Sequence, residues 1–153
     1  MNHFDLIDGE LACEGVKLAE LAQAVGTPLY AYSSATLERH FTVFREALAA
    51  HADRLGTPLI AYAVKANGNL SVIRPLAGLG AGADTVSEGE IRRALKAGVP
   101  AERIVFSGVG KTDSELAFAL DAGVFQINVE TSSEFGRLAA IAADKQVRAP
   151  VVL

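Results

Sequence analysis

The sequence predicts an α/β protein built on a parallel sheet. From Pro58 onward, short apolar runs alternate with amphipathic stretches at intervals of about 20 to 25 residues. The first of these runs, Leu59–Val64, is continuously apolar, which is typical of a strand covered on both faces of a parallel sheet. Two of the amphipathic stretches end in Ala-Gly-Val, where glycine allows a helix to terminate before the next strand.

The apolar runs and the helix-start patterns define the elements of this array. The predicted strands are Leu59–Val64, Ala83–Val86, Ile104–Phe106, Phe125–Val129 and Val151–Leu153. Three helices open with a hydroxyl residue followed three positions later by glutamate, which is the capping-box pattern. The pairs are Ser87 with Glu90, Thr112 with Glu115, and Thr131 with Glu134. We expect Glu115 and Glu134 to act only as helix caps.

The residues before Pro58 predict a small hairpin and two helices. Asp8-Gly9 lies between two short apolar runs, 4–7 and 10–13, as in a hairpin turn. A helix is predicted over 16–25 and a strand over 29–32. The longest helix follows. Its apolar positions recur every three or four residues, so we expect the whole stripe to face a sheet or another helix. The stripe consists of Leu37, Phe41, Phe44 and Leu48.

Composition excludes several classes of function. The 153 residues are half hydrophobic and carry a net charge of −4, which suits one globular core. No dense Lys/Arg run is present, which argues against a nucleic-acid or anionic-membrane partner. The start lacks a leader pattern and no apolar run reaches membrane-spanning length, so we expect a cytoplasmic protein. Cys13 is the single cysteine, and the three histidines have no metal-ligand spacing.

Lys65 is the candidate catalytic residue. It ends the first buried strand and is followed by an Asn-Gly turn. A lysine there is expected to be partly desolvated, which favours a free amine able to form a Schiff base with an aldehyde such as pyridoxal phosphate. On this pattern alone, the favoured interpretation is a lysine that extends its amine into solvent at a strand end.

Longer motifs around Lys65 resemble a known family. The segment Tyr-Ala-Val-Lys-Ala-Asn, 62–67, resembles the cofactor-lysine motif of the fold-type III pyridoxal phosphate enzymes, which include alanine racemase, ornithine decarboxylase and diaminopimelate decarboxylase. The segment 80–90 resembles the family's second motif, and its Asp84 and Glu90 lie at the family's spacing from Lys65. Segments 26–30 and 106–112 resemble the diaminopimelate decarboxylase branch in particular.

The resemblance implies a fold larger than this chain. It implies an alanine racemase-like (β/α)8 TIM barrel, which needs about 250 residues. Residues 28–153 would form the first part of the pyridoxal phosphate-binding barrel, and residues 1–27 would belong with a separate β-domain. We therefore expect an incomplete barrel and a fragment that is inactive alone. The full-length enzyme would be a homodimer.

The resemblance also implies the chemistry. Lys65 would bind pyridoxal phosphate covalently. Ala63 would leave room for the cofactor ring, and Asp84 would contact the cofactor. Glu90 would order the site without contacting the cofactor. The reaction would be decarboxylation of meso-2,6-diaminopimelate to L-lysine, with no metal. The alternatives are an ornithine/arginine-type decarboxylase or a racemase of the same fold, and a non-catalytic pyridoxal phosphate-binding protein.

The Gly-Lys-Thr sequence at 110–112 is not a phosphate-binding loop. The pattern G-x-x-x-x-G-K-[ST] requires glycine at position 105, which is valine. We therefore do not assign Lys111 to phosphate binding.

Overall fold

The computed structural model describes residues 3–153, which form two sheets. An antiparallel sheet consists of β1 (Phe4–Ile7), β2 (Glu10–Cys13) and β3 (Val16–Lys17), and α1 (Leu18–Val25) follows it. The larger sheet is parallel and its five strands pair in chain order. No helix within residues 3–153 has the length and apolar character needed to cross a bilayer.

The parallel sheet alternates with helices as predicted. Its elements are α2 (Ser34–Ala49), α3 (Ala52–Leu55), β4 (Ala61–Ala63), α4 (Leu70–Gly78), β5 (Gly82–Thr85), α5 (Glu88–Ala97), β6 (Ile104–Phe106), α6 (Asp113–Ala122), β7 (Gln126–Asn128), α7 (Ser132–Asp144) and β8 (Val151–Val152). Successive parallel strands need a crossover, and from β4 to β8 each crossover contains a helix. Within the described residues, β4 and β8 each pair with a single strand.

The register of the parallel strands separates two faces. Partners in register point to the same face, and successive residues of a strand alternate between faces. One face packs under the helices and is buried, with Ala83, Ile104, Phe106 and Ile127 fully inaccessible. We call the opposite face the inner face. It carries side chains that stay partly or wholly accessible, namely Ala61, Ala63, Asp84, Val105, Gln126, Asn128 and Val152.

The main core lies between the helix side of the sheet and α4 to α7. Fully burying an aliphatic side chain contributes about 1.5 to 3 kcal/mol, so this cluster is the main source of stability. Its largest members are Phe106, Ile73, Ile91, Ile104, Leu116, Ile127 and Leu138. A second, smaller cluster joins Phe41 of α2 to Leu76 and Ala81.

The amino-terminal predictions are partly confirmed. The hairpin is present, with Ile7 paired to Glu10 and positive φ at both turn residues, Asp8 and Gly9. The helix predicted from Val16 begins at Leu18, because Val16 and Lys17 pair with β2 instead. The strand predicted over 29–32 is wrong, since no described strand runs beside these residues to share backbone hydrogen bonds.

The stripe on α2 is only partly covered. Phe41 is buried, and Leu37 packs against the same cluster. Phe44 is 54% exposed, so the expectation that the whole stripe faces other elements is wrong. Phe44 instead lines an open cavity of about 390 Å³ beside β4, together with Ile60 and Ala63.

The three helix starts differ in how their glutamates are used. At α6 the capping box is complete, because Glu115 N donates to Thr112 Oγ1 at 3.3 Å and Thr112 N donates to Glu115 Oε2 at 3.0 Å. At α5 and α7 the hydroxyl accepts from the glutamate amide, but each carboxylate bonds to another partner. The cap predicted for Glu115 is confirmed, although its Oε1 also accepts from Glu88 N of α5 at 3.3 Å, so it does not act only as a cap.

The capping carboxylate makes stability depend on pH. The hydrogen bond from the backbone amide of Thr112 lowers the pKa of Glu115 below its ordinary value of 4.5. A lowered pKa in the folded state means that the contribution is present above that ordinary value and is lost as the pH falls through the folded value. We expect Glu115→Gln to reduce the free energy of unfolding by about 0.5 to 1 kcal/mol at pH 7, and the gap to close in acid. Urea unfolding from pH 3 to 8 measures this difference in the free energy of unfolding, and the exposed Glu38→Gln variant is the control. A gap that does not change with pH contradicts this assignment.

Gly82 allows β5 and β6 to lie close together. A Cβ at this position would overlap the backbone carbonyl oxygen of Arg103 and press on Leu59 Cδ1. We expect Gly82→Ala to lower the free energy of unfolding by about 1 to 3 kcal/mol or more, because a backbone atom cannot move aside easily. Gly78→Ala, in α4 with open space around the added Cβ, is the control and should be neutral or stabilising. Equal effects in urea unfolding would refute the close-packing argument.

Candidate active site

The candidate residues meet where the parallel strands end. Active sites of parallel α/β folds lie at the carboxyl ends of the strands, where loops and side chains converge. We call this the carboxyl edge. Ala63 and Asn128 are the last residues of their strands, Asp84 is the next to last residue of β5, and Ser107 follows β6 directly.

Lys65 lies in a short 3₁₀ turn, Val64–Ala66, at the end of β4. Val64 is fully buried and anchors the turn in the main core. The Lys65 side chain is exposed, so the expectation of partial desolvation is wrong for the described structure. Its amine has no hydrogen-bond or ion-pair partner among residues 3–153. Lys65 borders an open cleft of about 650 Å³ that is also lined by Gly68, Asn69, Glu90 and Arg93.

The segment after Lys65 is held by side chains on both sides. Tyr62 Oη donates to the Asn67 carbonyl oxygen at 3.2 Å, and burial raises the pKa of Tyr62, so the phenol remains a donor at neutral pH. Asn69 caps α4 by accepting from Ser71 N at 2.9 Å. Arg93 Nη1 donates to the Gly68 carbonyl oxygen at 3.1 Å. These bonds define the path of the chain beside the exposed amine.

Ala63 and Asp84 are direct neighbours on the inner face. They are partners in the register of β4 and β5, so their side chains lie side by side. Asp84 Oδ1 accepts from Ser107 Oγ at 2.6 Å, and Ser107 Oγ accepts from Asn128 Nδ2 at 3.0 Å. Asn128 Oδ1 in turn accepts from Gln126 Nε2 at 2.6 Å. A polar chain thus crosses β5, β6 and β7 at the carboxyl edge.

Glu90 supports the loop beside the cleft. Its Oε2 accepts from Val86 N at 2.9 Å, which ties the start of α5 to the end of β5. Glu90 also lines the cleft that contains Lys65. The structure therefore brings Lys65 and Glu90 together at one cleft, and it places Ala63 and Asp84 side by side on the inner face. Their roles remain predictions.

Lys111 is a buried structural cation. Its Nζ donates to the Gly108 and Asn128 carbonyl oxygens, both at 2.6 Å, and to Glu134 Oε1 at 2.8 Å. The ammonium also lies 5.5 Å from the centroid of the Phe106 ring. The Lys111 and Glu134 side chains are 1% and 3% exposed. All of its donors are thereby engaged by the protein, as expected for a lysine outside a phosphate site.

The expectation that Glu134 acts only as a helix cap is wrong. Its amide does donate to Thr131 Oγ1 at 3.1 Å, but its carboxylate points inward to Lys111. A buried ammonium would be too costly without a carboxylate partner, and this requirement outweighs the capping box. Sequence reasoning missed the pair because Lys111 and Glu134 are 23 positions apart and only the tertiary structure joins them.

The two lysines of the carboxyl edge therefore differ in availability. Lys111 is saturated by three acceptors, whereas Lys65 is free and exposed. Nucleophilic attack on an aldehyde needs a free amine with an accessible lone pair. Of the two, only Lys65 can react with a ligand carbonyl.

A parallel α/β sheet with a free lysine at its carboxyl edge suits a protein that binds an aldehyde such as pyridoxal phosphate. The family described as "Pyridoxal-dependent decarboxylase, pyridoxal binding domain" matches residues 34–153, and the chain belongs to this family. This membership confirms the predicted fold class and pyridoxal phosphate as the cofactor.

Individual relatives narrow the likeness to diaminopimelate decarboxylases. The chain is 48% identical to that of Pseudomonas fluorescens over 155 residues, which is 100% of this chain and 36% of the relative. The structure from M. jannaschii in complex with L-lysine has a TM-score of 0.94 at 35% identity, covering 99% of this chain and 35% of that chain. The Helicobacter pylori enzyme has a TM-score of 0.78 at 40% identity, covering 88% and 33%. The chain thus spans about a third of the length of these relatives, and the predicted resemblance is confirmed.

The buried Lys111–Glu134 pair predicts that replacing Lys111 destabilises the protein much more than replacing Lys145 does. Removing one partner leaves an uncompensated buried charge, which costs about 3 to 5 kcal/mol, whereas an exposed ion pair contributes about 1 kcal/mol or less. We expect Lys111→Ala to lower the free energy of unfolding by the larger amount. Lys145→Ala, which breaks the exposed pair with Asp121, is the matched control.

Urea unfolding of both variants checks this expectation. Adding Glu134→Leu to Lys111→Met removes both charges and should recover part of the loss. Equal losses for Lys111→Ala and Lys145→Ala would show that the buried pair is not important to the fold.

Proposed function

We propose that the protein containing this chain is a pyridoxal phosphate-dependent diaminopimelate decarboxylase that converts meso-2,6-diaminopimelate to L-lysine and carbon dioxide. The observation that carries the proposal is the free amine of Lys65 at the carboxyl edge of a pyridoxal-binding domain. The 48% identity to a diaminopimelate decarboxylase supports the choice of substrate.

The residues present fit the cofactor. An aldehyde cofactor needs an amine that the protein itself does not engage, and Lys65 meets that requirement. A planar ring needs room against the sheet, and the small side chain of Ala63 lies on the accessible inner face. Asp84 Oδ2 has no hydrogen-bond partner within residues 3–153, so it can accept from a bound ligand.

Each residue then has a definite part. Lys65 would hold the cofactor covalently through its free amine. The bound cofactor supplies an electron sink for the charge left at the α-carbon when carbon dioxide departs. Asp84 would orient the bound ligand through Oδ2, Ala63 would leave space for it, and Glu90 would hold the β5–α5 loop beside Lys65.

The remaining parts of the proposal follow the relatives. Diaminopimelate decarboxylase of M. jannaschii was solved with L-lysine, which supports an amino-acid ligand. The likeness to a Vibrio vulnificus lysine/ornithine decarboxylase is 23% in identity and supports only the fold. We also propose a cytoplasmic homodimer, with residues 1–27 associated with a β-domain, as the family resemblance implies.

The covalent role of Lys65 can be tested on the intact gene product. We expect borohydride reduction with pyridoxal phosphate to label one peptide, that containing Lys65, because its amine is the unengaged one at the carboxyl edge. Lys65→Ala should abolish this label and reduce turnover of meso-diaminopimelate by about 10³-fold or more, since a covalent route is lost. Mass spectrometry and a carbon dioxide release assay measure both.

The control is Lys96→Ala, which removes an exposed lysine of α5. It should leave labelling and turnover unchanged. Parallel assays on ornithine and alanine separate the alternative activities. Retained specific labelling in Lys65→Ala would refute the assignment, and cofactor binding without turnover of any of the three substrates would favour a non-catalytic binding protein.

A further inference from the structure

We infer that Ser107 and Asn128 are positioning residues that hold the Asp84 carboxylate in one orientation for its ligand. This inference rests on the proposed function, in which Asp84 contacts the bound cofactor.

The direction of the hydrogen bonds carries the inference. Asn128 Nδ2 donates to Ser107 Oγ at 3.0 Å, which occupies a lone pair of that oxygen. The Ser107 hydroxyl donates to Asp84 Oδ1 at 2.6 Å, a short bond typical of a hydroxyl on a carboxylate. Gln126 Nε2 donates to Asn128 Oδ1 at 2.6 Å and so sets which end of the Asn128 amide faces Ser107. The three hydrogen bonds therefore run in one direction, from Gln126 through Asn128 and Ser107 to Asp84.

The backbone around Ser107 and Asn128 is held by further contacts. Ser107 N donates to the Thr85 carbonyl oxygen at 2.7 Å. Gly108 follows with a φ of +91°, and a Cβ there would lie 3.1 Å from Val86 Cβ, so the loop packs closely on the end of β5. Lys111 binds the carbonyl oxygens of both Gly108 and Asn128. The buried ion pair therefore joins the loop after β6 to the end of β7.

This arrangement leaves one oxygen of Asp84 for a ligand. Oδ1 is held by Ser107, whereas Oδ2 has no partner in the described part of the chain. Asp84 is next to Ala63 on the inner face, where the proposed function places the cofactor. A carboxylate held through one oxygen presents the other in a constant direction, so binding does not have to order it. The matching ligand group is an N–H or O–H donor.

A double-mutant cycle on the intact gene product tests the inference. We expect Ser107→Ala to weaken pyridoxal phosphate binding to the apoprotein about tenfold, as for loss of a hydrogen bond to a charged group, with no change in melting temperature. In the Asp84→Ala background the same change should have less than a twofold effect, because Ser107 acts through Asp84. Equilibrium dialysis measures both. Ser133→Ala, an exposed serine of α7, is the matched control.

A crystal structure of cofactor-free Ser107→Ala provides a readout that does not depend on the reaction. We expect the Asp84 carboxylate to leave its present orientation or to occupy two orientations. An unchanged Asp84, or a tenfold effect that persists in the Asp84→Ala background, overturns the inference. If Ser107→Ala does not fold, Asn128→Ala takes its place in the same cycle and the same crystal experiment. If the unaltered protein shows no cofactor label at Lys65, the proposed function fails, and this outcome is distinct from failure of the inference about Ser107.

Discussion

The register of the parallel strands is the constraint on which the site depends. Because β4 to β8 are parallel and in register, alternate residues point either to the helices or to the inner face. The helix side takes the large apolar residues and holds the fold together. The inner face is then free to carry small and polar residues, so stability and chemistry are assigned to opposite sides of one sheet. A shift of one residue in any strand would exchange the two sets.

The carboxyl edge uses its two lysines for opposite purposes. Lys111 is buried and has three acceptors, so it joins the loop after β6, the end of β7 and α7. Lys65 is exposed and unengaged, which leaves its amine available. The difference arises from surroundings and not from residue type, because an ammonium is stable in the interior only when its donors are satisfied.

The buried pair and the inner face are connected. Lys111 fixes the carbonyl oxygen of Asn128, while the Asn128 side chain reaches Ser107 and, through it, Asp84. Lys111, which is buried and cannot reach a ligand, can thereby influence the orientation of Asp84, which faces the ligand side of the sheet. Functional groups in proteins need such a supporting layer, because a carboxylate left to rotate would lose the benefit of its placement.

The sequence by itself determined the order of strands and helices from β4 onward, the lysine at the end of β4 and the family. These depend on local signals, namely apolar runs, glycine stops and contiguous motifs, which can be read without knowing the neighbours. The tertiary structure decided what distant residues do together. It turned Glu134 away from a simple cap toward Lys111, left 29–32 without a strand partner, exposed Lys65, and linked Asp84 to Ser107 and Asn128. The bonds from Lys111 to Glu134, from Ser107 to Asp84 and from Asn128 to Ser107 join residues 21 to 23 positions apart, and such contacts form only once the strands are in register.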